Sequence, residues 1–97
     1  MKHLEQNCPV AQVALLLSDT WTMLIMRDIN DGPKRFCEIE RSLEGISTRT
    51  LTLKLKKLTA EGLIRKSAEG IYSSTERGRG LKIIESAMRR YGERFLK

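Results

Sequence analysis

The segment from Gly45 to Lys66, GISTRTLTLKLKKLTAEGLIRK, constrains the fold more than any other part of this chain. It is typical of a turn, a helix, a glycine stop and the start of a strand. Either Ser47 or Thr48 is suited to cap the helix at its beginning, and Gly62 is suited to end it. Apolar residues recur within the helix at spacings of four and three, which predicts one buried face. These residues are Leu51, Leu55 and Leu58.

The remainder of this helix is cationic, and none of its residues is acidic. At about 100° per residue, Arg49 and Lys56 lie roughly opposite the leucines. An apolar face that holds the helix and a cationic face that meets phosphate are what a DNA-contacting helix needs. The basic residues are Arg49, Lys54, Lys56 and Lys57.

The positive charge of the chain is concentrated around this helix. The 97 residues carry a net charge of +6, which favours an anionic partner. Residues 1–33 hold two basic and four acidic residues, residues 34–66 hold nine and four, and residues 67–97 hold seven and four. We expect nucleic acid rather than a membrane surface, because a membrane-binding helix carries large apolar residues opposite its basic face along its whole length.

Length and composition indicate a single domain, residues 1–97, with a small core. The N-terminus has no long apolar run before a small-residue cleavage site, and no segment approaches about 18 consecutive apolar residues. Two cysteines 29 positions apart, without a secretory signal, favour reduced thiols. The sequence therefore predicts a cytoplasmic protein without a membrane anchor.

The order of the elements predicts a mainly α fold with a small β-hairpin. Pro9 suits the first position of the first helix, and Asp31–Gly32–Pro33 is typical of a turn. Three helices followed by a hairpin make a winged helix-turn-helix, here with an extra helix at each end that we expect to serve dimerisation. The predicted helices span residues 9–17, 20–30, 36–43, 47–60 (the recognition helix) and 75–96, and the wing spans residues 63–74 with strands at 63–66 and 71–74.

The last predicted helix carries an apolar seam over about two heptads. Two interpretations stay open: the seam packs on the domain's own core, or it forms a dimer interface together with the apolar first helix. We expect an apolar surface of this extent on two terminal helices to be buried by a protein contact. The candidate interface residues are Val10, Val13 and Leu17 in the first helix, and Leu81, Ile84, Met88, Tyr91 and Phe95 in the last.

Taken in order and at their spacing, these features closely resemble the HxlR-type winged helix-turn-helix transcriptional regulators of bacteria and archaea. The resemblance covers about Cys8 to Phe95, which is nearly the whole chain. In the first half of the chain it rests on Cys8–Pro9, on a tryptophan helix (Trp21, Thr22, Leu24, Ile25 and Arg27), and on the turn from Gly32 to Phe36 with Glu38 and Ile39. In the second half it rests on the recognition-helix pattern (Gly45, Ile46, Ser47, Arg49 and the three leucines) and on the run from Glu61 to Arg65. The last matching residues are Tyr72, Thr75 and Gly78.

The resemblance implies a homodimer, built from the terminal helices, that binds a pseudo-palindromic operator near a promoter. It also implies that several members sense electrophiles or oxidants through the cysteine that matches Cys8. This sequence departs from the family pattern in a short wing loop that carries Glu69, which phosphate would repel, and in Leu53, which replaces a usually polar residue. We therefore expect the wing to add little beyond contacts of Arg65 and Lys66 with the DNA backbone.

The outer face of the recognition helix is the candidate for the major groove. We expect Arg49 to donate to a guanine, the alternative being a surface charge or an intramolecular ion pair. Leu53 either packs on a thymine methyl group or is simply an exposed leucine. Further candidates for contact with base edges or phosphates are Ser47, Thr48, Thr50 and Thr52, and candidates for contact with phosphates are Lys34, Arg35, Lys56, Lys57, Arg65 and Lys66.

Cys8 lies at a predicted helix N-terminus, where the helix dipole favours a thiolate. From the residues alone it is an ordinary small capping residue; with the resemblance, a redox or electrophile sensor becomes the competing interpretation. Cys37 is interpreted as structural, and a bridge between the two cysteines is an alternative that needs their close approach.

The chain shows no catalytic or metal-binding constellation. His3 is the only histidine, so the sequence offers neither a His-based dyad nor a multi-His metal site, and two distant cysteines do not form a Cys-rich zinc site. We therefore expect no enzymatic activity, no cofactor and no metal. The leading prediction is a dimeric DNA-binding transcriptional regulator. The alternatives are a winged-helix protein-interaction module and a nonspecific architectural DNA-binding protein.

Overall fold

The computed structural model describes residues 7–97, so His3 lies outside the described residues. Within this range the chain forms six helices and three strands. In chain order they are α1 (Pro9–Leu16), α2 (Thr20–Asn30), β1 (Lys34–Arg35), α3 (Phe36–Ser42), α4 (Thr48–Ala60), β2 (Ile64–Lys66), β3 (Ile71–Ser74), α5 (Glu76–Arg79) and α6 (Leu81–Phe95).

The predicted fold class is confirmed, because the protein is mainly helical and carries a small antiparallel sheet. β2 and β3 form the predicted wing hairpin, in which Ile64 lies opposite Ser74 and Lys66 lies opposite Tyr72. The hairpin follows α4 directly, so the wing stands next to the predicted recognition helix.

The sheet has a third strand that the sequence did not predict. Lys34 and Arg35, which we expected in the turn before α3, form β1 and pair with Tyr72 and Ile71 of β3. The strand order in the sheet is therefore β1-β3-β2. A strand of two residues has no alternating pattern to reveal it, and its partner lies far along the chain.

The predicted helix over residues 75–96 is divided into α5 and α6 at Gly80. Thr75 caps α5, since its hydroxyl oxygen accepts from the backbone N–H of Gly78 at 3.2 Å. The carbonyl of Gly78 accepts from Nδ2 of Asn30 in α2 at 3.1 Å. This tertiary contact holds the short helix against α2, and it is not visible in the helical periodicity of the segment.

The core lies between α2, α3, α4 and the sheet. α4 contributes its three predicted leucines, and Ile25 and Met26 of α2 are fully buried. Trp21 and Leu24 lie at the edge of the core and are only partly buried. By contrast α1 has no buried residue. The buried apolar residues are Met23, Ile25, Met26, Ile29, Ile39, Leu43, Ile46, Leu51, Leu55, Leu58, Leu63, Ile64, Tyr72 and Leu81.

No single helix in residues 7–97 combines the length and the apolar character needed to cross a bilayer. α1 and α2 meet those criteria only when they are taken together, across a bend of 87°.

Candidate nucleic-acid interface

The beginning of α4 is fixed by a polar cap. Ser47, one of the two predicted candidates, is the N-cap, and its Oγ accepts from the backbone N–H of Thr50 at 3.0 Å. The same hydroxyl donates to Oγ1 of Thr50 at 2.9 Å. The cap satisfies one of the backbone donors that a helix N-terminus leaves without a partner. The first turn of α4 is therefore held in one conformation.

The end of α4 leads into the wing through a Schellman motif. Gly62 has a φ of +76°, which residues with a Cβ atom rarely adopt. Its N–H donates to the carbonyl of Thr59 at 3.0 Å, and the N–H of Leu63 donates to the carbonyl of Leu58 at 3.0 Å. Because Leu63 is buried and directly precedes β2, this motif fixes the wing relative to α4.

The outer side of α4 carries three exposed basic side chains, which we call the cationic face: Arg49, Lys56 and Lys57. Within residues 7–97 none of the three makes a side-chain hydrogen bond or an ion pair. Leu53 lies among them and is 54% exposed. A helix that is buried on one side and unpartnered on its cationic side is suited to bind an anionic polymer.

Two of the candidate threonines of α4, Thr48 and Thr52, already use their hydroxyl protons inside the protein. The hydroxyl of Thr48 donates to Oε2 of Glu40, and that of Thr52 donates to the carbonyl of Thr48 at 2.8 Å. Thr50 instead accepts from the hydroxyl of the N-cap residue Ser47 at 2.9 Å, so this bond does not use the proton of Thr50. A hydroxyl oxygen can also accept, so these side chains retain an acceptor for a base or water. In this arrangement Thr48 and Thr52 have no proton left to give to a phosphate, whereas the hydroxyl of Thr50 can still donate one.

Lys54 is the one basic residue of α4 with a partner in the described part of the chain. Its Nζ atom pairs with Oδ2 of Asp19, the N-cap of α2. Burial raises the pKa of Asp19, but the hydrogen bonds from Lys54 and from the backbone and hydroxyl of Thr22 outweigh it, and the pKa falls to about 2. The pair was not predicted from the sequence, although an aspartate just before a helix is a recognisable N-cap signal.

The wing carries two exposed cations near its tip. Arg65 lies opposite Ser73, and Nζ of Lys66 lies 5.7 Å from the centroid of the Tyr72 ring. The turn closes through the N–H of Ser67, which donates to the carbonyl of Ile71 at 2.9 Å. The exposed acid at the tip is Glu69. The wing thus presents positive charge on β2 and negative charge at its turn.

Lys34 and Arg35, both predicted to hold the DNA backbone, make contacts within the protein. Nζ of Lys34 donates to the carbonyl of Gly32 at 3.2 Å. Nη1 of Arg35 donates to the carbonyl of Glu69 at 3.0 Å, and the N–H of Arg35 donates to Oε1 of Glu38 at 2.8 Å. Arg35 therefore ties the start of α3 to the tip of the wing.

The terminal helices expose most of the residues that were predicted to form the dimer interface. Leu81 is an exception: it is only 6% exposed and belongs to the chain's own core, which corrects its assignment to an exposed seam. Ile84 and Leu17 pack partly against that core. Helical spacing cannot distinguish these two environments. The exposed fractions of the others are 77% for Val10, 36% for Val13, 53% for Met88, 59% for Tyr91 and 60% for Phe95.

An apolar groove of about 460 Å³ runs between α1 and α6. Further along α6, the rings of Tyr91 and Phe95 contact each other with their centroids 4.9 Å apart. The groove is lined by Pro9, Val10, Val13, Ala14 and Ile84.

Both cysteines are free thiols. Cys8 is the N-cap of α1, and its side chain makes no capping hydrogen bond, so a simple capping role is not supported. It is half-buried and directly precedes Pro9, which lines the apolar groove. Cys37 is exposed, and Nη2 of Arg41 lies 3.8 Å from its Sγ atom.

Comparison with known proteins places this arrangement among transcriptional regulators. The family model of the HxlR-like helix-turn-helix matches residues 16–97. An uncharacterized HTH-type transcriptional regulator of Synechocystis sp., sll1512, is 34% identical over 95 residues, which span 92% of this chain and 70% of that protein.

Solved structures of related regulators share the fold. The quinone-bound form of YodB from Bacillus subtilis superposes with a TM-score of 0.82 at 32% identity, covering 91% of this chain and 99% of that chain. The oxidized form of the redox regulator HypR superposes with a TM-score of 0.80 at 34% identity, covering 89% of this chain and 95% of that chain.

Proposed function

Because this chain belongs to the HxlR-like helix-turn-helix family of transcriptional regulators, we propose that it binds a specific, pseudo-palindromic DNA operator as a homodimer. The observation that carries the proposal is the cationic face of α4. Its three side chains have no partner in residues 7–97, while the opposite side of the helix is buried. α4 is then the helix that enters the major groove.

Within α4, position along the helix separates the roles of the cations. Arg49 lies in the first turn, and the N-terminal residues of a recognition helix come closest to the base edges. Its guanidinium suits the two acceptors of guanine. Lys56 and Lys57 lie about two turns further on and suit phosphates, which position the protein without specifying sequence. Leu53 offers an apolar contact to a thymine methyl group.

The homodimer is supported by the exposed apolar surface of α1 and α6. α1 buries none of its residues, and α6 exposes Met88, Tyr91 and Phe95 by more than half. A second copy can cover both helices at once, and a two-fold dimer presents two copies of α4 to the two halves of a palindrome. Half-sites would then lie about one helical turn, roughly 34–36 Å, or a multiple of it apart.

A thiol at the dimer interface supplies a route for regulation. The related YodB was solved bound to quinone, and HypR was solved in an oxidized form. In this chain Cys8 is half-buried at the start of α1, beside the groove between α1 and α6. Modification of this thiol by an electrophile or oxidant would change the surface that the second copy covers, and with it the distance between the two α4 helices. Such a regulator would act in the cytoplasm.

The test is selection of bound sequences from a random duplex pool at physiological salt, with untreated protein and with protein treated with a thiol electrophile. An enriched inverted repeat is expected with untreated protein. Treatment should remove the enrichment for the wild type and for Cys37→Ser but not for Cys8→Ser, which makes Cys37→Ser the matched control for Cys8→Ser. Equal enrichment before and after treatment would refute the sensing role of Cys8.

The absence of any enriched sequence would refute the operator-specific regulator. Binding with a strong salt dependence and no preferred sequence would instead favour a nonspecific architectural protein. Absence of duplex binding would favour a winged helix that serves as a protein-interaction module.

A further inference from the structure

Lys54 differs from the other basic residues of α4 in direction and in burial. At about 100° per residue it lies roughly 60° from Leu51, whereas Arg49 and Lys56 lie on the far side of the helix. Its side chain is only 22% exposed, and its Nζ atom pairs with Asp19. The charge of Lys54 is therefore directed to the N-terminus of α2 and away from the cationic face.

Asp19 is held firmly by hydrogen bonds from the first turn of α2. Its Oδ1 accepts from the backbone N–H groups of Trp21 at 2.8 Å and Thr22 at 2.7 Å. Its Oδ2 accepts from the hydroxyl of Thr22 at 3.0 Å as well as from Lys54. Because Thr22 is buried, the carboxylate cannot move far without disturbing the first turn of α2. Lys54 is thus anchored to a rigid point outside α4.

We propose that Lys54 is a positioning residue: through Asp19 it fixes the orientation of α4 on the N-terminus of α2, and it makes no contact with DNA. The inference rests on the proposed function, because the orientation matters once the cationic face docks on DNA. Asp19 also follows the end of α1 by three residues. The pair therefore joins α4 to the junction between the candidate dimer helix and α2.

Salt dependence separates a positioning residue from a phosphate ligand, since each phosphate contact contributes about 0.9 to the slope of log K against log salt concentration. On a random-sequence duplex, Lys56→Met is expected to reduce the magnitude of this slope by about one unit. Lys54→Met removes the same charge from the same helix and is expected to leave the slope unchanged. A drop in Lys54→Met that equals the drop in Lys56→Met would overturn the proposal.

Affinity for the duplex recovered by selection tests the positioning role itself. Lys54→Met is expected to weaken that affinity by about threefold to tenfold, because a misoriented helix loses base contacts. Lys54→Arg keeps a cation within reach of Asp19 and is expected to restore most of the affinity. Unchanged affinity in Lys54→Met would overturn the proposal.

A double-mutant cycle tests whether Lys54 acts through Asp19. Asp19→Asn keeps an N-cap and removes the charge, so it should weaken operator binding about as much as Lys54→Met, and the double variant should lose no more. Fully additive losses would overturn the proposal. NMR titration of folded Lys54→Met should show the pKa of Asp19 rising from about 2 toward its ordinary value of 3.8.

Different results would refute the proposed function and the positioning role of Lys54. If selection recovers no sequence, the operator-specific regulator fails. The slopes of Lys54→Met and Lys56→Met on the random duplex still decide whether Lys54 contacts DNA.

Discussion

Gly78 lies directly against the backbone of Leu63: a Cβ atom added at Gly78 would be 2.0 Å from the carbonyl oxygen of Leu63. The same atom would be 2.9 Å from Cε of Met26. α5 and the start of the wing therefore meet backbone to backbone, which a side chain would prevent. This contact fixes the wing against α2 and against α5 and α6, the two helices that follow the wing.

Gly78→Ala should lower the free energy of unfolding by about 3 kcal/mol or more, because the backbone of Leu63 cannot yield without moving the sheet. Gly80→Ala is the matched control. Its Cβ would meet the nearest atom, the carbonyl oxygen of Arg77, at 3.4 Å, and we expect a change within about 1 kcal/mol. Urea denaturation of both variants is the measurement. Similar losses in the two would contradict the close contact.

The charge of Asp19 makes stability depend on pH in the acid range. Its pKa in the folded protein is about 2, below the ordinary value of 3.8, so the unfolded chain binds the proton first as pH falls. The carboxylate therefore contributes stability above pH 3.8, at most about 2 kcal/mol, and this contribution is lost as the pH approaches 2. Asp19→Asn should be less stable than the wild type near pH 6.

Urea unfolding of wild type and Asp19→Asn between pH 6 and pH 2 checks this expectation. The difference in the free energy of unfolding should shrink steadily as the pH falls below about 4. A difference that stays constant over the whole range would mean that the asparagine disturbs the cap of α2 rather than removing a favourable charge.

The recognition helix was predictable because its signals are local. Ser47 caps a backbone N–H three residues away, the leucines repeat within four residues of one another, and Gly62 supplies a positive φ. Each of these effects depends on residues that are only a few positions apart in the sequence. The same is true of the wing turn, where Gly70 has a φ of +82°.

The features that sequence analysis missed depend on contacts between distant residues. β1 exists because Lys34 and Arg35 pair with β3, and the role of Lys54 depends on Asp19, which lies 35 residues away in the sequence. A basic residue on a basic helix shows its charge in the sequence but not its direction or partner. Leu81 illustrates the same limit, since an apolar residue at helical spacing can face its own core or a second copy.

Base recognition by Arg49 predicts a loss that depends on sequence. Arg49→Ala should weaken binding to the selected duplex by about 1–3 kcal/mol and relax specificity at one base position. Lys57→Ala, on the same face, should weaken specific and random duplexes about equally. Competition binding with single-base variants of the selected duplex is the measurement. Equal losses of Arg49→Ala on selected and random DNA would show a phosphate contact instead.

The acid at the wing tip should oppose DNA binding. Glu69→Lys replaces a repelled charge with an attracted one, so binding should tighten and its salt slope should steepen by up to about one unit. The carbonyl that accepts from Arg35 is a backbone group and remains in place. Glu93→Lys, the same exchange on α6, is the matched control and should leave the slope unchanged. An unchanged slope in Glu69→Lys would show that the wing tip stays away from DNA.

A dimer formed through α1 and α6 predicts that a charge at Met88 disrupts association. Met88 is 53% exposed on the apolar side of α6, next to Tyr91 and Phe95. Met88→Glu would bury a carboxylate without a partner in the interface, which should raise the dimer dissociation constant by about tenfold or more. Ser86→Glu adds the same charge about 200° around the helix and should leave association unchanged. Sedimentation equilibrium of both variants measures the effect.

Because Met88 lies outside the buried core, both variants should unfold at similar urea concentrations, so a monomeric Met88→Glu would report on the interface and not on the fold. A dimer that is equally stable in Met88→Glu and wild type would move the interface to another surface.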